Sequence, residues 1–248
     1  MLDNILRNMK PISLEEMTEV KLMNRFDAKY LTTLSKLEQL LKEAERDFLI
    51  QEIDGVRNSS YYTCYFDTTN FKMYCDHERG KKTRKKIRIR EYLETGTLPF
   101  LEIKDKNNKG KTKKRRVPME LGKDLELYKS FVSDHTEFNV EELNPKIENR
   151  FKRITLVNIE KTERITIDTS IEFHNFVSGR EIMLPQLAVI EWKRDGQSKK
   201  SRLKPLLQTL RIHESGFSKY VIGMAMTDSY LPQHKIKPRL HLIQKMIK

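Results

Sequence analysis

Charged side chains alternate with apolar ones along at least five segments of the sequence. In residues 86–91, the cations Lys86, Arg88 and Arg90 alternate with Ile87 and Ile89. Alternate side chains of a strand point to the same face, so these three cations share one face. The same pattern occurs in Arg25, Asp27 and Lys29, in Glu102 and Lys104, in Arg164, Thr166 and Asp168, and in Glu191 and Lys193. Guanidinium and ammonium groups bind phosphate oxygens, and carboxylates bind divalent metals, so the pattern indicates chemistry on a phosphorylated anion.

A sheet with one solvated face would explain any single one of these segments, but five together favour a functional face. If helices cover the apolar face, the charged face is either open to water or lines a closed sheet. Crowded cations repel each other in a reduced dielectric, so a closed interior of this kind would be a hydrated tunnel that can bind an anion.

The sequence also predicts helices that could cover the apolar face of the sheet. A capping box at Ser35 predicts a helix to about Arg46, and further helices are predicted at 123–133, 203–212 and 218–226. Residues 107–110 predict a turn between two strands.

The net charge of +13 is concentrated in one segment. Residues 79–116 contain sixteen Lys or Arg residues against four acidic ones, and the rest of the 248-residue chain is almost neutral. Such a segment suits nucleic acid, acidic lipid, inorganic polyphosphate or nucleotide phosphates. Only Tyr92 and Phe100 are aromatic in it, which argues against specific nucleic-acid binding.

Several other classes are disfavoured. No window reaches the roughly 20 apolar residues that span a bilayer, and the N-terminus has no signal-peptide pattern. The two cysteines, Cys64 and Cys75, have no metal-like spacing, and a reducing cytoplasm suits them. We expect one main domain at 20–230, an N-terminal segment 1–19 that packs on it, and a basic C-terminal tail or helix at 231–248.

Ordered motifs across residues 20–225 give the chain a resemblance to a known family. The motifs are Arg25-Phe-Asp27-Ala-Lys29-Tyr30, Tyr65-Phe66-Asp67-Thr68 with Tyr74, Arg84-Lys-Lys-Ile-Arg88-Ile-Arg90, Phe100-Leu-Glu102-Ile-Lys104, Lys113-Lys-Arg-Arg116, Phe151-Lys-Arg153, Arg164-Ile-Thr-Ile-Asp168-Thr169, Val189-Ile-Glu191-Trp-Lys193 and Phe217-Ser218-Lys219-Tyr220. In number and order they resemble the catalytic domain of the vacuolar transporter chaperone (VTC) polyphosphate polymerases, within the CYTH and triphosphate tunnel metalloenzyme superfamily.

The resemblance implies an α+β fold, in which an antiparallel β-barrel with flanking helices forms a closed tunnel. It implies a cytoplasmic enzyme that uses Mn²⁺ or Mg²⁺ to transfer the γ-phosphate of ATP to a growing polyphosphate chain. The residues it implies for catalysis are Arg88, Arg90, Lys104, Arg153, Arg164 and Lys219. Further phosphate ligands are Lys29, Lys193 and one of Lys113 or Lys114, and the metal ligands are Glu191, with Glu102 and Asp168 as additional candidates.

Two departures from the family pattern limit what is carried over. The family usually has Glu where this chain has Asp27, whose side chain is shorter, so a direct metal-binding role is not carried over to Asp27. The chain also lacks the regulatory and transmembrane domains of the eukaryotic members, so it resembles a stand-alone bacterial-type version. If water replaces the phosphate acceptor, the same site is a triphosphatase acting on tripolyphosphate or an organic triphosphate, and a non-catalytic polyanion-binding module is the third possibility.

Overall fold

Strands form most of the structure, and helices flank them. The computed structural model describes residues 2–18, 20, 25–94, 96–120, 122, 124–195 and 201–247. The strands are β1 (Pro11–Ser13), β2 (Arg25–Thr33), β3 (Phe48–Glu52), β4 (Ser59–Thr68), β5 (Arg84–Tyr92), β6 (Phe100–Lys106), β7 (Thr112–Pro118), β8 (Leu143–Asn158), β9 (Glu163–Asn175), β10 (Glu181–Leu184) and β11 (Leu187–Asp195). The helices are α1 (Leu2–Asn8), α2 (Leu14–Thr18), α3 (Leu34–Ala44), α4 (Lys72–Glu78), α5 (Lys129–Ser133), α6 (Leu203–Thr209), α7 (Lys219–Thr227) and α8 (Lys237–Ile247), together with short 3-10 helices at Leu125–Tyr128 and Val140–Glu142.

All of these strands belong to one sheet. Its main path runs β2, β11, β9, β8, β4, β5, β6, β7, and every pair along it is antiparallel. Strand β10 pairs with β9, β3 pairs with β8, and β1 joins β3 in parallel. The α+β class, with an antiparallel sheet and flanking helices, is therefore confirmed.

Hydrogen bonds do not close the sheet within the described residues. The end strands β2 and β7 do not pair, which corrects the expectation of a closed barrel. The edge of β2 that does not pair with β11 contacts another segment. Tyr30 forms a bridge with Glu214, and the backbone N–H of Ser215 donates to the carbonyl of Lys29 at 2.7 Å. The edge that β7 would need is thus partly occupied by the segment before α7.

The sheet nevertheless curves and brings distant strands together across one charged face, here called the inner face. Lys86 on β5 interacts electrostatically with Lys29 on β2, and Lys104 on β6 interacts with Glu191 on β11. In each pair, four strands lie between the partners along the sheet. The curvature gives the fold the tunnel-like character that the resemblance implies.

The opposite, outer face carries the apolar residues of the alternating pattern and is covered by helices. At β2, β8, β9 and β11, residues such as Ile154, Ile165 and Trp192 pack against α1, α3 and α6. At β4, β5 and β6, residues such as Ile87 and Ile103 pack against α5 and the two 3-10 helices. Burial of these apolar side chains stabilises the fold and leaves the charged residues on the concave side.

The predicted helices are present with shifted boundaries. Helix α3 begins at Leu34, and its N-cap is Thr33, whose hydroxyl accepts a hydrogen bond from the N–H of Lys36, so the predicted cap at Ser35 is wrong. The turn at 107–110 joins β6 to β7 as predicted, and Gly110 has a φ of 79°, which favours glycine. The basic C-terminal region forms α8, whose Leu240 and Ile243 are buried against the domain.

Helix α7 fills one end of the inner face with apolar side chains. It packs on Ile147 and Phe173 of β8 and β9. Tyr220 donates a hydrogen bond at 2.5 Å to the buried carboxylate of Asp67, which also accepts from the backbone N–H groups of Met73 and Tyr74 at the start of α4. Asp67 therefore ties α4 and α7 to the sheet, which gives the motif around it a structural role.

No helix in the described part of the chain is both long and apolar enough to cross a membrane.

Substitution of Gly223 by Ala tests the close packing of α7. A Cβ at this position would lie 2.5 Å from Cδ1 of Phe173 and 2.8 Å from Cδ1 of Ile147, both in the core. We expect a loss of about 1–3 kcal/mol in the free energy of unfolding, measured in urea. Helix propensity alone would raise stability by roughly 1 kcal/mol, so a more stable variant would contradict the packing.

Candidate functional site

Beyond the end filled by α7, the inner face is lined by charged side chains from seven strands. Each of its three buried or half-buried carboxylates is shared by two cations, so each group of three charges keeps a net positive charge. The three groups are Glu102 with Arg88 and Lys114, Asp168 with Arg153 and Lys219, and Glu191 with Lys29 and Lys193.

The first group joins β5, β6 and β7. Arg88 donates two hydrogen bonds, at 2.8 and 2.5 Å, to one oxygen of Glu102, and Lys114 binds the other oxygen. Burial alone would raise the pKa of Glu102, but Arg88 and Arg90 lower it to about 2. Because this carboxylate stays ionised, it holds Arg88 in a fixed position on the inner face.

The second group joins β8, β9 and α7. Arg153 contacts both oxygens of Asp168, at 2.6 and 2.8 Å, and Lys219 at the start of α7 binds one of them. Burial opposes ionisation of Asp168, but Arg153 and Lys219 hold its pKa below the ordinary value. Desolvation lowers the pKa of Lys219 to about 7 in spite of this partner.

The third group joins β2 and β11. Glu191 accepts from Lys29 at 2.9 Å and from Lys193 at 3.0 Å. Burial alone would raise its pKa, but Lys29 and Lys193 keep it well below the ordinary value. This group is more open than the others, since the side chain of Glu191 is 23% exposed, against 0% for Glu102 and 5% for Asp168.

Three further inner-face cations form no salt bridge with a carboxylate among the described residues, although Glu191 or Glu102 attracts each of them from a greater distance. Arg90 donates only to the hydroxyl of Thr63, at 3.3 Å, and Lys86 donates only to the hydroxyl of Ser218, at 3.2 Å. Desolvation, followed by the neighbouring cations, lowers the pKa of Arg90 to about 10 and that of Lys86 to about 7. The pKa of Lys104 falls well below its usual value, mainly because of Arg88. Uncompensated buried cations cost stability, and a bound polyanion would remove that cost.

Aromatic rings hold several of these cations in place. The guanidinium of Arg90 lies 5.8 Å from the ring centre of Tyr61 and 5.9 Å from that of Phe151. Lys219 lies 4.0 Å from the centre of Phe151. Cation–π contacts partly replace an anion while leaving the N–H groups available to one.

The structure brings most of the sequence-predicted residues to this face. Arg164 is half-buried on β9, in register with Lys193. The register on β7 places Lys114 opposite Lys104, whereas Lys113 lies opposite Asp105 and faces away, so Lys114 is the inward member of that alternative. Asp27 is exposed and lies opposite Lys193 in the strand pairing.

Lys86 is a site residue that the sequence interpretation did not select. Its alternation with Arg88 and Arg90 was the available signal. Its distinguishing features are the hydrogen bond to Ser218 and the missing carboxylate, and both depend on contacts that are distant in sequence.

The metal that the resemblance implies has only a partial site in the protein's own residues. No three acidic, histidine or cysteine side chains cluster as metal ligands within the described ranges. Mg²⁺ is often held by one or two carboxylates together with substrate phosphates. Among the predicted metal ligands, only Glu191 is both ionised and partly exposed to solvent, so Glu191 could hold a metal ion together with substrate phosphates. Glu102 and Asp168 are buried in their ion pairs.

A comparison with protein families agrees with this geometry. The family model described as the VTC domain matches residues 24–227. The chain belongs to the VTC domain family. A search of the curated proteins found no match.

Three solved structures are distantly similar to this VTC-domain chain. A Bacillus halodurans protein assigned as an adenylate cyclase is 14% identical, with a TM-score of 0.48, and the match covers 79% of this chain and 94% of that one. The PH1819 protein of Pyrococcus horikoshii is 13% identical, with a TM-score of 0.42 and coverage of 81% and 98%. An RNA triphosphatase of Schizosaccharomyces pombe is 9% identical, with a TM-score of 0.30 and coverage of 93% and 84%. At these scores the structures say nothing about the activity of this chain.

Stability measurements on two arginine variants test the division into paired and unpaired cations. In phosphate-free buffer, Arg90→Met should raise the free energy of unfolding by about 1–2 kcal/mol, because it removes a buried charge that lacks a counterion. Arg153→Met should lower it by about 3 kcal/mol, because it removes the bidentate partner of buried Asp168. Equal destabilisation by both substitutions would contradict the division.

Proton uptake on anion binding tests the lowered pKa of Lys86. In the folded, empty protein its pKa is about 7, below the ordinary lysine value, so at pH 8 the amine is mostly neutral. A bound polyanion favours the ammonium form, so tripolyphosphate binding should take up protons at pH 8. Calorimetry in two buffers with different ionisation heats measures the uptake, which should fall by up to about one proton in Lys86→Met. Lys42→Met, at an exposed position on α3, should match the wild type. Equal uptake by both variants would contradict the assignment.

Proposed function

We propose that this VTC-domain protein is a polyphosphate polymerase that transfers the γ-phosphate of ATP to the end of a polyphosphate chain on the inner face. Family membership supports an enzyme that acts on polyphosphate or triphosphates. The observation that carries the proposal is the excess of inward-facing cations over carboxylates. Arg90, Lys86 and Lys104 form no salt bridge in the described structure.

Phosphoryl transfer requires mainly charge neutralisation and in-line placement of the acceptor and the leaving group. In the proposed reaction, an ionised terminal oxygen of polyphosphate attacks the γ-phosphorus, and the bond from that phosphorus to the β,γ-bridging oxygen breaks. ADP leaves with the electron pair. Arg90 and Arg88 would bind phosphate oxygens through their planar N–H groups, and Lys104, Lys86 and Lys219 would act as point charges along the chain.

The state of the carboxylates favours a phosphate acceptor over water. Water must lose a proton when it attacks, whereas a terminal phosphate is already ionised. Glu102, Asp168 and Glu191 all have lowered pKa values and are each held by two cations, so they are weak bases. Lys86 and Lys219 become ammonium groups once an anion is bound and then cannot accept a proton. The site therefore suits transfer better than hydrolysis.

A divalent cation, Mn²⁺ or Mg²⁺, would be held by Glu191 together with phosphate oxygens and would supply further charge neutralisation. Lys29 and Lys193 would then exchange their contacts with Glu191 for contacts with phosphate.

Incubation of the protein with γ-labelled ATP and Mn²⁺ tests the proposal. We expect a ladder of labelled polyphosphate on a gel. Arg90→Met should reduce the rate at least roughly a hundredfold, because the guanidinium would contact the transferring phosphates. Arg150→Met is the matched control, since Arg150 is exposed and lies beside Tyr62, which points away from the inner face, so its rate should equal that of the wild type.

Two other results would contradict the proposed polymerase activity. Labelled orthophosphate without a ladder would identify a triphosphatase. Unchanged ATP together with tight, saturable polyphosphate binding would identify a binding module.

A further inference from the structure

A second group of basic side chains lies at one end of the inner face, beyond Lys86. Arg84 on β5 and Lys106 on β6 are directly opposite each other, and the next inward pair is Lys86 opposite Lys104. Arg239 on α8 interacts electrostatically with Arg84 and with His77 of α4. His77, Arg84, Lys106 and Arg239 are here called the end cluster.

The end cluster has no acidic partner in the described part of the chain. Arg84 donates only to a backbone carbonyl, that of Lys81, at 3.1 Å. The acids of nearby α4 are engaged elsewhere, because Asp76 pairs with Lys72 and Lys81, and Glu78 accepts from the backbone N–H of Lys235. Like charges directly opposite each other in a sheet are destabilising, so the two successive cation pairs at Arg84 and Lys86 carry a cost in the empty protein.

One polar atom of the end cluster has no hydrogen-bond partner among the described residues. The ring atom Nδ1 of His77 is buried and has no hydrogen-bond partner in the described structure. Burial, followed by Lys86, Arg84 and Arg239, lowers the pKa of His77 to about 2, so the ring is neutral at pH 7. A neutral imidazole can donate one hydrogen bond to a phosphate oxygen.

Helix α8 brings Arg239 to the cluster from outside the matched family region. The family match ends at residue 227, and α8 begins at Lys237. Leu240 and Ile243 dock the helix on the domain, and its neighbour Arg239 is half-buried, with its guanidinium beside Gly216, just before α7. Arg239 therefore reaches the cluster from outside the matched region, whereas His77, Arg84 and Lys106 lie within it.

We propose that the end cluster is a second phosphate-binding subsite, which holds the part of a long polyphosphate chain that extends past Lys86. The inference rests on the proposed function, because it assigns a longer substrate to the same inner face. Continuity supports it, since the cations run from Arg88 through Lys86 and Lys104 to Arg84 and Lys106 along two paired strands. A triphosphate would fill the inner cations alone, whereas a longer chain would reach both groups.

Calorimetric binding of tripolyphosphate and of long-chain polyphosphate, without metal and at fixed salt, tests the subsite. Arg239→Gln should weaken binding of the long chain about three- to tenfold and leave tripolyphosphate binding unchanged. Lys106→Gln, on a different element, should have the same effect and guards against a local disturbance of α8. Lys245→Gln, at an exposed position of α8, is the matched control and should alter neither affinity.

The outcomes separate this inference from the proposed function. If the wild type binds both anions but Arg239→Gln and Lys106→Gln bind the long chain normally, the subsite is wrong and the proposed function stands. Equal weakening of both anions would also overturn the subsite, because it would place these residues at the inner cations. If the wild type binds neither anion, the proposed function fails and the inference fails with it.

Discussion

The fold depends on how its inner face accommodates more cations than carboxylates. Each inner-face carboxylate is divided between two cations, and further cations have aromatic rings or hydroxyl groups in place of acids. The arrangement satisfies enough of the charge for the chain to fold and leaves enough unsatisfied to attract a polyanion. A site of this kind costs stability in the empty state, which is a common trade between stability and function.

Apolar packing elsewhere in the fold offsets this loss of stability. The outer face buries an extensive apolar core under helices, and α7 closes one end of the inner face with aliphatic and aromatic side chains. The N-terminus of α7 then presents Ser218 and Lys219 to the charged region. The positive end of the helix dipole adds to the attraction for anions there. The same helix thus seals the apolar end and completes the charged one.

Alternation along the strands predicted which side chains face inward, because side-chain direction in a strand is a local property. Lys86, Arg88 and Arg90 lie on one face as expected. Their separate roles could not be predicted, since Arg88 is held by Glu102 from a neighbouring strand and Arg90 has no such partner. Strand register decides such contacts, and it also decided between Lys113 and Lys114. The contacts of Glu214 and Ser215 with the edge of β2 and the docking of Arg239 on the end cluster join chain segments far apart in sequence, which no local pattern encodes.

Equilibrium unfolding with and without tripolyphosphate tests the central claim most directly. If the uncompensated cations form a built polyanion site, the free energy of unfolding should increase with the logarithm of the tripolyphosphate concentration above the dissociation constant. Sulfate at the same ionic strength should give a much smaller increase, because it screens charges without spanning the cations. Equal stabilisation by the two anions would contradict the account, since it would mean that the inner-face cations act only as a solvated surface.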